Sequence, residues 1–494
     1  MNPQAVDIQF ALVSHTNNGK TTLARTLVGI DVGEVRDAAH VTIVSEAHLL
    51  QTSAAGDRLL LWDTPGFGDS VRLLKRLASA ANPIGWFLRE VFDRYRDRPF
   101  WLSQQALRAA KDAADVVLYL VNSSEDPRDA GYLAPEMKIL EWLGKPVVVL
   151  LNQLGPPRPD NQEQAEQARW KEYLERFGIV RDVLALDAFA RCWVHEDVFY
   201  DRIAKLVDAA KQPGYARLLA NWQAANLERL QASLRLGAVQ VAAAARDSQA
   251  IEAEGKGNLF KSALKAVGLG KDEQRRQDAA MATLVERLNR HIAETTASLL
   301  RLHRVDPGEA GRINARVRDH FAVRAPVDKT QAGLLGAVIS GAATGLSADL
   351  MAGGMTLGGG ALLGAIVGGL TMAGAAWGFN TTAERAHPSV EFADPFLRTL
   401  LVGAVLRYLA VAHFGRGRGQ FVEGEAPAFW QAEVEAALTR REAELPRLWK
   451  AVRAATDEDA ATGLVLEVLC PVTTGTLERL YPGSAANALS RKAA

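Results

Sequence analysis

The stretch Ser14-His15-Thr16-Asn17-Asn18-Gly19-Lys20-Thr21-Thr22 is where residue types and spacing point most directly to chemistry. An apolar run, Ile8 to Val13, leads into it, and a helical pattern starting near Gly19 leads out. Strand, tight loop and helix in that order suit a phosphate. Successive backbone N–H groups and the positive end of the helix can surround its oxygens. Lys20 would reach the terminal phosphates, and the Thr21 hydroxyl would hold Mg2+. Ser14, Asn17, Asn18, Gly19, Lys20, Thr21 and Thr22 are therefore the candidate phosphate-binding residues. Ser14 stands where the G-x-x-x-x-G-K-[ST] pattern has its first glycine. The plain alternative is an ordinary Gly-Lys turn before a helix.

A second motif follows. The apolar run Leu59-Leu60-Leu61-Trp62 ends in Asp63-Thr64-Pro65-Gly66. A strand running into D-x-x-G places a carboxylate near Mg2+ and a glycine N–H where a γ-phosphate can be sensed. Asp63 and Gly66 join the candidate site on that basis.

The elements that must position these residues read as alternating strands and helices. Ala47 to Gln51 alternates and, with Leu59 to Trp62, predicts neighbouring strands joined near Gly56. Asp115 to Val121 and Val147 to Leu151 are near-continuous β-branched runs, as expected of buried strands in a parallel sheet. The second of these ends in Asn152-Gln153-Leu154-Gly155. A last strand, Val183 to Leu186, ends at Asp187. The expected fold is α/β, a doubly wound and mostly parallel sheet with its site at the strand C-termini. A mainly α-helical C-terminal region follows.

The ordered set Asn17-Asn18-Gly19-Lys20-Thr21, Thr42, Asp63-Thr64-Pro65-Gly66 and Asn152-Gln153-Leu154-Gly155 resembles that of an Era/TrmE-type bacterial P-loop GTPase. The whole chain resembles a bacterial group in which this domain precedes a C-terminal region of unknown function. The resemblance implies GTP and GDP as ligands, Mg2+ as cofactor and slow hydrolysis of GTP. Lys20, Thr42 and Gly66 would act on the reaction. Thr21, Thr42 and Asp63 would serve the metal, and Asn152 and Gln153 would lie beside the base. Residues 29–45 and 66–82 would be the two switches. The resemblance also implies that Asn17, three positions before the motif lysine, can ligate a stimulatory K+. Phe67 stands where some GTPases carry a water-orienting Gln. Gly155 stands where the base-reading N-K-x-D motif has its carboxylate, and Asp187 is the candidate substitute. A helix N-cap is the plain reading of Asp187.

The rest of the chain is read more coarsely. Its 494 residues predict several domains, and a formal net charge of +0 disfavours a nucleic-acid partner. Two cysteines, Cys192 and Cys470, fit neither a disulfide framework nor a metal-ligand spacing. No secretory signal is expected in Met1 to Ile8, and the expected compartment is the cytoplasm. The expected divisions are 1–212 for the GTPase domain, 213–328 for a helical region, 329–381 for a Gly-rich apolar hairpin and 382–494 for a second helical region. Residues 82–103 carry an aromatic helical face, read either as packing on the domain or as a surface for a protein effector. Residues 254–275 read as a basic, Gly-containing connector.

Between Ala332 and Phe379 lie 14 of the 41 glycines and a single charge, Asp349. Two helices at about 332–348 and 355–379 with G-x-x-x-G spacing are expected, either inserted at the inner membrane or packed as a soluble hairpin. Function is read as a GTP-hydrolysing switch. The alternatives are a nucleotide-binding scaffold with little turnover and an Era-like ribosome or RNA partner. Sequence leaves the oligomeric state open.

Overall fold

The computed structural model describes residues 4–16, 18–28, 46–79, 81–89, 98–154, 160–186, 192–251, 269–304, 377–380, 389–414 and 428–481. The N-terminal half builds one sheet. Its strands are β1 (Asp7–Ser14), β2 (Glu46–Thr52), β3 (Arg58–Asp63), β4 (Val116–Asn122), β5 (Val147–Asn152) and β6 (Val180–Ala185). They lie in the order β2-β3-β1-β4-β5-β6, and only the β2–β3 pair is antiparallel. The β2–β3 hairpin turns at Gly56, whose φ of 87° is a conformation glycine adopts without a Cβ clash.

Sequence explains the central strands. Every residue of β5 is buried, and in β4 only Asn122 is not fully enclosed, because both sheet faces are covered. The expected start of β6 at Val183 is corrected to Val180. The three extra residues, Val180-Arg181-Asp182, include two polar ones that mask a strand period.

The helices of this half are α1 (Lys20–Val28), α2 (Ser70–Leu77), α3 (Pro83–Arg89), α4 (Arg98–Asp112), α5 (Leu133–Glu141), α6 (Asp160–Leu174) and α7 (Trp193–Ala204). The face read over 82–103 falls on α3 and α4, with 90–97 outside the described residues. Its Ile84, Phe87 and Phe100 enter the sheet's hydrophobic core. These three are therefore packing residues, as in the first of the two readings.

Two compact units divide the chain. The first is built on residues up to Arg229, so the opening turns of α8 (Gln212–Arg246) belong to it. Chemistry explains that extension past 212. Tyr215 is buried against Phe10, with ring centroids 6.4 Å apart. Arg217 donates through two nitrogens to Asp57, at 2.8 and 2.7 Å. Asp57 is fully buried and also accepts from the Val6 amide at 3.1 Å. The guanidinium holds the Asp57 carboxyl down at about 2.

The second unit is mainly helical. It contains α9 (Leu269–Leu302), α10 (Asp394–Phe414) as far as Val411, α11 (Ala428–Thr439), α12 (Leu445–Ala454) and α13 (Glu458–Leu480) as far as Arg479. A small antiparallel sheet of β7 (Ser248–Ala250), β8 (Trp377–Asn380) and β9 (Ser389–Phe392) accompanies them, with β9 central. On α9, Leu284, Leu288, Ile292 and Leu299 are buried at steps of four, four and seven residues, along one face of the helix. Trp430, Val434, Leu438 and Leu445 are buried as well.

Most of the Gly-rich segment lies outside the described residues, as does most of the basic connector at 254–275. Where the description resumes, Trp377–Asn380 is a strand, which corrects the end of the second expected helix. Pairing with β9 takes the backbone hydrogen bonds that a helix would have used internally. Among the described residues, α10 and α13 are long and apolar enough to cross a membrane by length and composition. In the α10 window 78% of residues are already buried by protein, as in the core helix of a soluble unit.

Candidate functional site

The site forms where β1 ends and α1 begins, at the carboxyl edge of the sheet between β3 and β4. Two backbone constraints shape the loop. Gly19 has φ 83°, and a Cβ there would lie 2.6 Å from Asn152 Nδ2. That nitrogen donates to the Asn18 carbonyl at 2.9 Å, so the end of β5 clamps the loop. Asn18 in turn donates through Nδ2 to the Leu120 carbonyl of β4 at 3.1 Å. The loop is thus fixed from two strands before any ligand arrives.

Lys20 and Asp63 are the charged pair of the site. Both are buried. Lys20 Nζ donates to Ser14 Oγ at 2.8 Å and to the His15 carbonyl at 3.5 Å. Burial pushes the Lys20 ammonium down to about 8, against the opposing pull of Asp63 and Glu136. Burial likewise pushes the Asp63 carboxyl up, against the pull of Lys20. An ammonium desolvated in this way is poised to gain from an anionic ligand. Ser14 therefore does more than replace a glycine, because its hydroxyl accepts the lysine.

The Thr21 hydroxyl donates to Asp63 Oδ2 at 2.8 Å. The other oxygen, Oδ1, is buried and has no hydrogen-bond partner among the described residues. A hard cation takes oxygen ligands, and Asp63 Oδ1 with the adjacent hydroxyl is a donor set of that kind. The residues present fit Mg2+.

The D-x-x-G segment folds onto the loop. Thr64 Oγ1 donates to the Leu12 carbonyl at 2.7 Å, and the Phe67 amide donates to the Ser14 carbonyl at 2.9 Å. A Cβ on Gly66 would meet Thr16 Cα at 2.9 Å and Lys20 Nζ at 3.1 Å, so this close approach needs glycine. The Phe67 ring is fully buried in the hydrophobic core and has no way to orient water.

Of the sequence-derived candidates, Ser14, Asn18, Gly19, Lys20, Thr21, Asp63, Gly66 and Asn152 come together here. Gln153 follows Asn152 with φ 60°, the left-handed region, and its Nε2 would lie 3.9 Å from a Cβ on Gly19. Thr22 is buried on α1, and its carbonyl accepts from Thr26 Oγ1 at 2.7 Å. Asn17, Thr42, Gly155 and Asp187 lie outside the described residues.

The sequence reading passed over four residues at the edge of the site: His15, Ser70, Tyr119 and Glu136. Glu136 is fully buried and gathers the other three. The available signal was Glu136 set among Leu133, Met137, Ile139 and Leu140 on the buried face of its helix. A lone acid on an apolar face needs partners, but sequence does not say which.

Two family models match the chain. Residues 9–153 match the family described as 50S ribosome-binding GTPase. Residues 171–465 match the domain of unknown function DUF3482. No curated protein matches the chain.

Among solved structures, Era bound to MgGDPNP and a segment of 16S ribosomal RNA aligns at 17% identity and TM-score 0.28, over 37% of this chain and 52% of its own. A variant of Aquifex aeolicus Era bound to GDP and aluminium fluoride aligns at 18% and 0.30, over 42% and 58%. The bacterial selenocysteine-specific elongation factor EF-Sec aligns at 18% and 0.25, over 40% and 28%. The chain thus spans just over half the length of the two Era structures it matches. With a P-loop GTPase domain of the Era-like kind at its N-terminus and the DUF3482 match over more than half its length, the chain belongs to the DUF3482 family.

Proposed function

We propose that this GTP-binding and GTP-hydrolysing protein works as a slow, Mg2+-dependent switch whose helical unit responds to the nucleotide state. The observation that carries the proposal is the buried constellation of Lys20, Thr21 and Asp63, in which one carboxylate oxygen lacks a partner among the described residues. Lys20 places a cation against the terminal phosphates. The Gly19 and Lys20 amides, at the N-terminus of α1, cradle the phosphate oxygens. Thr21 and Asp63 would hold Mg2+, which when bound neutralises charge on the β- and γ-phosphate oxygens. The Gly66 amide would sense the γ-phosphate, and Thr42 would be a further ligand for the metal in the triphosphate state.

Slowness follows from Phe67, since no side chain at that position can orient the attacking water. Asn17, by ligating K+, would offset part of that shortfall, so hydrolysis should run faster in K+ than in Na+. The guanine base would meet Asn152 and Gln153, with Asp187 as the substitute carboxylate, and selectivity over ATP would fall below that of GTPases with an intact carboxylate. In this reading the protein works in the cytoplasm, with 332–379 either contacting the inner membrane or packing as a soluble hairpin. The buried Phe67 also favours a second reading, a nucleotide-binding scaffold with little turnover.

Calorimetry with Lys20→Ala tests the site. GTP affinity should fall at least about a hundredfold, because a desolvated charged contact with phosphate is lost, while far-UV circular dichroism stays unchanged. Equal affinity would remove Lys20 from the site. Single-turnover hydrolysis by the unaltered protein, in matched K+ and Na+ salts, separates a slow switch from a scaffold.

A further inference from the structure

Glu136 is a buried acid beside the phosphate loop that the nucleotide chemistry above does not use. Three donors from three separate elements converge on it. On Oε1, His15 Nδ1 of the phosphate loop donates at 2.8 Å, and the Ser70 hydroxyl at the start of α2 donates as well. On Oε2, Tyr119 of β4 donates its hydroxyl at 2.5 Å. The His15 ring is further held by stacking on Tyr132, with centroids 4.3 Å apart and planes 14° from parallel. Tyr132 donates its own hydroxyl to Glu125 at 2.7 Å.

One carboxylate oxygen is therefore shared between the phosphate loop and the helix that follows the D-x-x-G segment. Gly66 lies between Thr64, which bonds the Leu12 carbonyl, and Phe67, which bonds the Ser14 carbonyl, and Ser70, three residues past Phe67, bonds Glu136.

We propose that Glu136 is a positioning residue for GTP hydrolysis, latching the start of α2 to the phosphate loop so that the Gly66 amide is held where a γ-phosphate binds. Glu136 touches no phosphate and acts through His15 and Ser70. A buried carboxylate present only to satisfy neighbouring donors would serve GDP and GTP alike. A latch on Gly66 serves the triphosphate state.

The inference rests on the nucleotide-switch reading, and the test separates the two. Full-length protein would be titrated with GDP and with a non-hydrolysable GTP analogue, and single-turnover hydrolysis would be followed. Ser70→Ala cuts only the α2 side of the latch and leaves the buried acid in place. Glu136→Ala removes the latch, and Glu136→Gln keeps an acceptor oxygen for His15 and Ser70.

Ser70→Ala and Glu136→Ala should each leave GDP affinity within about twofold. Both should weaken the GTP analogue about fivefold, the usual worth of one lost hydrogen bond, and slow hydrolysis at saturating GTP. Glu136→Gln should recover most of both. A parallel loss of GDP and GTP affinity, or unchanged GTP affinity and rate in Ser70→Ala, would overturn the role of Glu136. Failure of the unaltered protein to bind either nucleotide would overturn the switch reading, and this inference with it.

Discussion

Thr21 and Asp63, 42 residues apart in sequence, meet through one hydrogen bond of 2.8 Å from hydroxyl to carboxylate. The contact joins the second residue of α1 to the last residue of β3. It closes the phosphate loop against the D-x-x-G segment and leaves Asp63 Oδ1 with no partner among the described residues. A buried carboxylate oxygen in that condition is costly, and a bound cation would relieve the cost.

Asp63→Asn should therefore weaken Mg2+ binding in the nucleotide complex by roughly 10–100-fold. Titrating Mg2+ into EDTA-stripped protein with GTP, read by hydrolysis and by calorimetry, measures it. Identical Mg2+ curves for both proteins would remove Asp63 from the metal site.

Ser14 offers a test in the opposite direction. Its hydroxyl accepts from Lys20 at 2.8 Å, so it competes with phosphate for the ammonium. Ser14→Gly restores the usual loop pattern and frees the lysine. GTP affinity should rise about fivefold, the worth of roughly 1 kcal/mol for a competing hydrogen bond. Equal or weaker binding would show that the hydroxyl supports the loop and does not compete with the ligand.

The difference between what sequence showed and what it hid has a physical basis. β4 and β5 are legible because strands buried on both faces carry unbroken apolar runs. Gly19 and Gly66 are legible because motif spacing marks close approaches, and the structure supplies the atoms approached, Asn152 and Thr16. Glu136 was hidden because its three donors lie up to 121 residues away and follow no local period. The same holds for Arg217 and Asp57, 160 residues apart, which carry the first unit into α8. Ser14 could be read as a departure from a pattern, but its role as acceptor for Lys20 needed coordinates.

The Asp57–Arg217 pair makes stability depend on pH. The bidentate guanidinium lowers the Asp57 carboxyl from 3.8 to about 2. A carboxyl depressed in the folded state contributes stability above its unfolded value and loses it as pH falls through the folded one. The contribution should be full above about pH 4 and fade toward pH 2, about 2 kcal/mol in all at 1.36 kcal/mol per unit. Arg217→Ala should cost about 3 kcal/mol at pH 7, since it leaves a buried charge without its main partner. Asp57→Asn should flatten the pH dependence in this window. Urea denaturation at pH 7 and pH 3, followed by tryptophan fluorescence, decides both. A wild-type midpoint that does not shift between the two pH values would mean that the pair is energetically neutral.

The Gly-rich segment gives the last prediction. Residues 332–379 carry one charge, and the nearby basic residues Arg324, Lys329 and Arg385 suit a hairpin whose two ends face the cytoplasm. Small residues at G-x-x-x-G spacing let helix backbones approach closely in lipid or in protein, so composition does not decide between them. Fractionation does. If the segment enters the bilayer, full-length protein should sediment with inner membranes and stay there through a high-salt wash. Protein lacking 330–381 should stay in solution. The salt wash matters because basic flanks alone could hold the chain to anionic lipid, and screening would release that form. Insertion does not depend on screened charge and would survive. Gly364→Leu with Gly368→Leu would disturb close helix packing in either setting, so it reports on the hairpin and not on its location. Full-length protein recovered wholly in the soluble fraction, and monodisperse without detergent, would make the segment an internal core and end the membrane proposal.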